Sequence, residues 1–217
     1  IPENVKKVEE RNPAILFKCV KNPTEVENIR IAEIKDSVAH VRFMKWLKEN
    51  VGKETITEMS ASDKLDEFRA EMGGFIRPSF GPISAFGEHS AIVHYSSSPE
   101  TDVELHEGSF LMTDTGAGFY EGSTDITRTY AFGEVSQIMK DHFTLVAISN
   151  LNLASPIFKK GCCGMNFDYL ARKPFWDRGL DFNHGTGHGV GYLLNIHEGP
   201  AGFRYTYRAG ESDAFQP

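Results

Sequence analysis

From His184 to Gly191 every second residue is glycine, in the order His-Gly-Thr-Gly-His-Gly-Val-Gly. No other stretch restricts the fold as much. Each glycine in a helix interior costs about 1 kcal/mol relative to alanine, so four of them disfavour a helix. His184 and His188 have the spacing of a helical zinc pair, but without the helix this is not that motif. Glycine instead lets the backbone approach a ligand or another strand closely. The segment continues Tyr-Leu-Leu-Asn-Ile-His197-Glu-Gly-Pro200, so three of the eight histidines fall within it. Neutral imidazole is a good transition-metal ligand. A glycine-rich loop carrying polar histidines is the alternative. A phosphate loop fits less well, because the Lys-Ser/Thr ending is missing.

A second segment runs from Leu111 to Thr129 and carries Asp114 and Asp125. Asp114 lies in an apolar, strand-like run, where a carboxylate is unwelcome unless paired or metal-bound. Asp125 opens a second β-like run, and Gly116, Gly118 and Gly122 supply turns between them. A hairpin would bring the two acids side by side, where they repel unless a cation is shared. The alternative is one aspartate capping a turn and the other serving as a satisfied structural acid. With one imidazole added, the donors are oxygen-rich, which favours Mn²⁺, Co²⁺ or Fe²⁺ over a thiolate-type zinc site.

Composition narrows the remaining classes. The 217 residues are 40% hydrophobic and 12% aromatic, enough for a packed core. The net charge is −7 and no Lys/Arg run interrupts it, so nucleic acid is not an expected partner. No apolar stretch approaches membrane-spanning length. The three cysteines, Cys19 and the neighbours Cys162 and Cys163, do not make a disulfide framework, which favours a reducing, cytoplasmic setting.

Residues 1–13 are polar and bracketed by prolines, and read as a linker from an upstream domain. Ala14–Val20 reads as a short strand. Asn22, Pro23 and Glu25 form a helix start, followed by apolar residues at helical period (Val26, Ile29, Ile34, Val38, Val41, Met44, Leu47) up to Gly52. A second helix is expected from Thr57 to Met72 with Leu65, Phe68 and Met72 inward. Between Phe75 and Gly133 the short runs Ile83–Phe86, Ala91–Tyr95, Phe110–Thr113 and Ile126–Phe132 predict an antiparallel sheet. Helices follow over Val135–Ala154 and Phe167–Trp176, the latter interrupted by Pro174. Strand-like sequence resumes from Leu180. The order suggests two similar α/β halves.

Asp-x-Gly…Tyr-x-x-Gly-x-Thr-Asp-Ile-Thr-Arg-Thr and His-Gly-Thr-Gly-His-Gly-Val-Gly…His-Glu-Gly-Pro, with Ala91-Ile-Val-His94-Tyr and Leu180-Asp-Phe-Asn-His184, resemble the pita-bread metallopeptidases. The pattern is most similar to the Xaa-Pro aminopeptidases, over about Pro13 to Pro217. The resemblance implies an α/β fold of the α+β type, a curved antiparallel sheet backed by helices, over residues 14–217. It implies two divalent ions, Mn²⁺ first with Co²⁺, Fe²⁺ or Zn²⁺ as substitutes. Asp114 and Asp125 would be metal ligands, with Asp125 bridging, and His188 would ligate one metal. His94, His184 and His197 would bind the peptide and manage protons, and Ile196 would help wall a proline pocket. The implied activity is release of the N-terminal residue from peptides with proline second, by a metal-bridged water, in a homodimer. A prolidase acting on Xaa-Pro dipeptides and a non-catalytic peptide-binding domain are the rival readings. The resemblance also implies two further glutamate ligands downstream. The sequence ends at Phe215-Gln-Pro217, where the first of these segments would begin, so the 217 residues are expected to be an incomplete domain, inactive alone.

Overall fold

A computed structural model describes residues 2, 4–210, 214 and 215. Residues 1 and 3 of the expected linker, and residues 216 and 217 at the end, lie outside the described residues. Residues 4–13 are exposed throughout.

The first element corrects an expectation. Ala14–Cys19 is a helix (α1), not a strand. The Asn12 side chain accepts from the Ala14 N–H at 3.0 Å, so Asn12-Pro13 starts a helix in the manner of Asn22-Pro23. Among the described residues no strand pairs with this segment, and Phe17 is 81% exposed.

Helix α2 (Pro23–Asn50) begins with a complete capping box between Asn22 and Glu25, and α3 (Glu58–Glu71) with one between Thr57 and Ser60. The buried stripe of α2 is Ala32, Asp36, Ala39, His40, Phe43 and Leu47, whereas Ile34, Val38 and Val41 are exposed. Phe43 and Leu47 meet Leu65 of α3, with Phe68 and Met72 partly buried beside them. Burial of each such large apolar side chain contributes roughly 1.5–3 kcal/mol.

The strands are β1 (Phe75–Pro78), β2 (Ile83–Phe86), β3 (Ser109–Thr115), β4 (Ala117–Phe119), β5 (Gly122–Ser123) and β6 (Ile126–Phe132). They form the antiparallel sets β2-β3-β6 and β1-β4-β5. Side chains alternate along β3: Leu111, Thr113 and Thr115 are buried, while Phe110, Met112 and Asp114 point the other way. Leu111 reaches the α2–α3 core, so Asp114 takes the opposite, open face.

Ala91–Tyr95 is not a strand, a second correction. Gly87–Ala91 is a 3₁₀ turn, and Ile92 and Tyr95 continue with turn bonds to His89 and Ile92. The buried Glu58 carboxylate imposes this path: it accepts from Phe86 N–H (2.5 Å), His89 Nδ1 (2.9 Å) and Tyr95 O–H (2.8 Å). An extended run could not return both rings to one carboxylate.

Helices α4 (Gln137–Ala154) and α5 (Asp168–Trp176) pack together, with Ser149 Oγ donating to Ala171 O at 2.7 Å. Strands β7 (Gly187–Val190) and β8 (His197–Phe203) pair antiparallel. The strand-like stretch expected from Leu180 starts seven residues later, because Arg172 takes up the intervening loop through the carbonyls of Phe182 and His184. Ser123 N–H donates to Tyr192 O at 2.7 Å and joins the β7–β8 pair to the rest. The result is the pita-bread α/β architecture, antiparallel strands backed by helices.

Candidate functional site

The alternating glycines act where β7 meets β8. A Cβ on Gly189 would lie 2.3 Å from Glu198 O, and one on Gly191 would lie 2.2 Å from Asn195 O. This close approach brings His188 beside His197, with ring centroids 4.2 Å apart at 79°. A register irregularity between His188 and Gly189 interrupts the pairing at the same point.

Asp125 meets this pair. Its Oδ2 lies 3.2 Å from His188 Nε2 and 3.8 Å from His197 Nε2. One ligand atom from each of the three lies within 4.8 Å of the others. Asp114 is close enough to sense them. Burial pushes its carboxyl up, and the negative charge of Asp125 adds to this. Thr127, its cross-strand neighbour, opposes the shift by donating Oγ1–H to Asp114 Oδ1 at 2.8 Å. The His188 imidazole is pushed up in turn, chiefly by its hydrogen bond to Asp125.

His94, Asp114 and His197 line one cavity of about 550 Å³ with Phe80 and Tyr95. A second cavity of about 360 Å³ shares Phe80 and His197 and includes Ile196, which is 4% exposed. Phe80, absent from the sequence-based set, packs its ring 5.7 Å from that of His197. His94 holds a left-handed backbone (φ 56°), which is strained for a non-glycine residue. His184 makes its contacts elsewhere: its ring lies 4.9 Å from Phe182, its Nδ1 is 2.7 Å from Gly185 O, and its carbonyl accepts from Arg172.

Charges set back from the cavities hold these parts in place. Glu198, adjacent to His197 and 8% exposed, pairs with Lys18 at 2.5 Å and with Lys21. Lys18 Nζ also donates to Leu194 O at 3.1 Å. Arg172, 2% exposed, pairs with Asp168 and Asp181 and stacks on Phe182. Sequence reading did not single these residues out. The buried Asp36 of α2 was missed as well, although one signal was available: Asp36, Ala39, Phe43 and Leu47 follow helical period, so a carboxylate sat on the inward stripe.

The donors fit a divalent cation. Asp125, His188 and His197 converge with Asp114 beside them, Asp114 is destabilised as an anion by burial and by Asp125, and the His188 imidazole is already drawn to Asp125. A cation relieves each strain. The oxygen-rich mixture suits first-row divalent ions.

Residues 27–217 match the metallopeptidase family M24. A probable Xaa-Pro aminopeptidase P from Sordaria macrospora is 40% identical over 196 residues, 89% of this chain and 32% of that protein. Xaa-Pro aminopeptidase 2 of Sus scrofa is 38% identical over 205 residues, covering 94% and 30%. The chain thus spans about a third of the length of these relatives. Among solved structures, the X-prolyl aminopeptidase of Caenorhabditis elegans, described as a cytosolic enzyme with a di-nuclear active site, superposes with a TM-score of 0.88 at 34% identity. It covers 94% of this chain and 33% of that one. A prolidase from Pyrococcus furiosus superposes at 0.78 with 26% identity, over 94% and 56%. The chain belongs to the metallopeptidase family M24.

Proposed function

We propose that the protein carrying this chain is a metal-dependent aminopeptidase that releases the N-terminal residue from peptides with proline in second position. The observation that carries the reading is the approach of His188 and His197 to one oxygen of Asp125, beside Asp114, in a family whose relatives include Xaa-Pro aminopeptidases. Asp114, Asp125 and His188 would hold two divalent ions, Mn²⁺ by preference. When bound, such ions supply Lewis acidity toward a carbonyl and toward water.

The chain's own residues do the rest. Proline makes the scissile bond a tertiary amide with no N–H, so binding leans on shape and apolar contact. Phe80 offers that surface, and Ile196, almost fully buried, backs the wall of the adjoining cavity. His94 and His197, facing one cavity, hydrogen-bond the peptide, and His197 hands a proton to the leaving prolyl nitrogen. His184, in the loop that Arg172 holds and outside the lining of both cavities, is given its place at the substrate by the resemblance alone. A homodimer in the cytoplasm completes the proposal, by analogy with the family.

The test uses full-length protein stripped by chelator. Mn²⁺ should restore cleavage of an Xaa-Pro-Xaa tripeptide, with Xaa-Pro dipeptide the poorer substrate. The reverse preference would replace the aminopeptidase by a prolidase. No hydrolysis of either peptide, with Mn²⁺ bound, would leave a peptide-binding domain.

A further inference from the structure

Two acids that repel must be held at a set spacing before an ion arrives, and Asp125 lies one residue beyond the last β3–β6 pair, Thr115 with Ile126, outside the ladder that holds Asp114. Each acid has a buried threonine next to it in sequence: Thr115 follows Asp114, and Thr124 precedes Asp125. Both threonines reach one ion pair behind the sheet. Asp36 of α2 is 0% exposed and Arg69 of α3 is 1% exposed. Arg69 Nε and Nη2 donate to the two Asp36 oxygens at 2.8 and 3.2 Å. Nη2 also donates to Thr115 Oγ1 at 2.9 Å. Thr124 Oγ1 donates to Asp36 Oδ2 and accepts from Ala117 N–H at 2.8 Å.

We propose that the Asp36–Arg69 pair is a positioning device for the candidate metal ligands: through Thr115 and Thr124 it sets the separation of Asp114 and Asp125, and with it divalent-ion affinity. This rests on the metal reading above. Stability alone does not call for such a pair, because buried ion pairs can be replaced by apolar side chains at little or no cost. Here each partner bonds one of the two hydroxyls that flank the acids, and Arg69 also reaches Asp66 at 3.0 Å and His40 at 3.4 Å. The loop between those hydroxyls is tightly packed: a Cβ on Gly116 would lie 2.0 Å from Thr124 O. A shift of the ion pair therefore passes to both segments. Alternation along β3 transmits it to the open face, since Thr115 points inward where Asp114 points out.

The experiment measures Mn²⁺ affinity of metal-free, full-length protein by titration calorimetry, alongside circular dichroism and thermal unfolding. Thr115→Val and Thr124→Val remove one hydroxyl each at nearly constant volume, and Arg69→Met removes the cation. The valine variants should stay folded and bind Mn²⁺ about 10–100-fold more weakly, the range seen when groups behind metal ligands are removed. Thr115→Ser, which keeps the hydroxyl, should return affinity to within about threefold of wild type. If Arg69→Met fails to fold, the valine variants decide. Folded valine variants with wild-type affinity would overturn the proposal. So would equal losses in Thr115→Val and Thr115→Ser, which would assign the effect to packing. Wild-type protein that binds neither Mn²⁺ nor Co²⁺ would overturn the metal reading itself.

Discussion

Replacing Glu58 by leucine should destabilise the protein by about 2–4 kcal/mol and raise KM for an Xaa-Pro peptide. The Glu58 side chain is fully buried and faces three donors. Leucine leaves each to find another partner. The Phe86 N–H, on the last residue of β2, donates to Glu58, and a buried donor left unsatisfied costs about 1–3 kcal/mol. Tyr95 keeps part of its bonding, because its hydroxyl already lies 3.3 Å from Thr101 Oγ1. His89 is a quarter exposed and can turn to water. Removing a buried charge returns some of the loss. Glutamine, which keeps an oxygen for Phe86 and offers an amide to the tyrosine oxygen, should cost about 1 kcal/mol. Because the same bonds shape the turn that carries His94, both variants should raise KM more than they lower kcat. Urea denaturation of the full-length protein, with Michaelis constants on a tripeptide, reads both effects. Leucine costing under about 1 kcal/mol would refute the accounting. Destabilisation with unchanged KM would refute the link to His94.

Three further outcomes are expected. His40 is buried, and burial lowers its pKa to about 4 from 6.5. The unfolded chain takes up a proton first as pH falls, so this contribution is intact above pH 6.5 and is lost between 6.5 and 4, by roughly 3 kcal/mol. His40→Asn should flatten that slope in pH-dependent denaturation, and parallel curves would contradict the assignment. His197→Ala in the full-length enzyme should lower kcat by about 10²–10⁴-fold while metal stoichiometry by elemental analysis is unchanged. Metal lost together with activity would make His197 a ligand. Gly191→Ala should abolish the close β7–β8 approach and disrupt the His188–His197 contact, visible as weakened Mn²⁺ binding, whereas Gly52→Ala, which meets no atom within 4 Å, should not.

How much was legible depended on whether the signal was local. The capped start of α2 at Asn22, the strands β2, β3 and β6, and the glycines that force β7 against β8 are written in neighbouring residues, and they were read; the Thr57–Ser60 box of α3 is as local and was not. The approach of His188 and His197 to Asp125 is not local, since 63 positions separate Asp125 from His188; the sequence reading expected Asp114, Asp125 and His188 as ligands through the resemblance and set His197 aside as a substrate group. Misreadings came where a distant group decided the outcome. Ala91–Tyr95 has a strand's composition, but Glu58, more than thirty positions away, bends it. Val38 and Val41 have the period of a core stripe, yet Asp36 and His40 face inward because Arg69 waits there to pair with them. In α1, apolar composition outweighed the Asn12-Pro13 start signal in the sequence reading.

The contacts of Lys18 in α1 and of Lys21 just after it bear on how the molecule assembles. Lys21 and Glu198 are 177 positions apart, and Lys18 and Leu194 are 176 apart. Loop-closure entropy makes such long-range contacts late events, while the β3–β6 hairpin and the adjacent helices α2 and α3 can form from nearby sequence. The β7–β8 pair, which carries two of the converging histidines, should therefore be the last part to dock and the first to open. Amide hydrogens of Gly187–Val190 should exchange faster than those of β3, and removal of α1 should widen the gap without unfolding the α2–α3 core. The binding surface and the folding nucleus would then occupy different parts of one molecule, so that opening at the site need not unfold the rest.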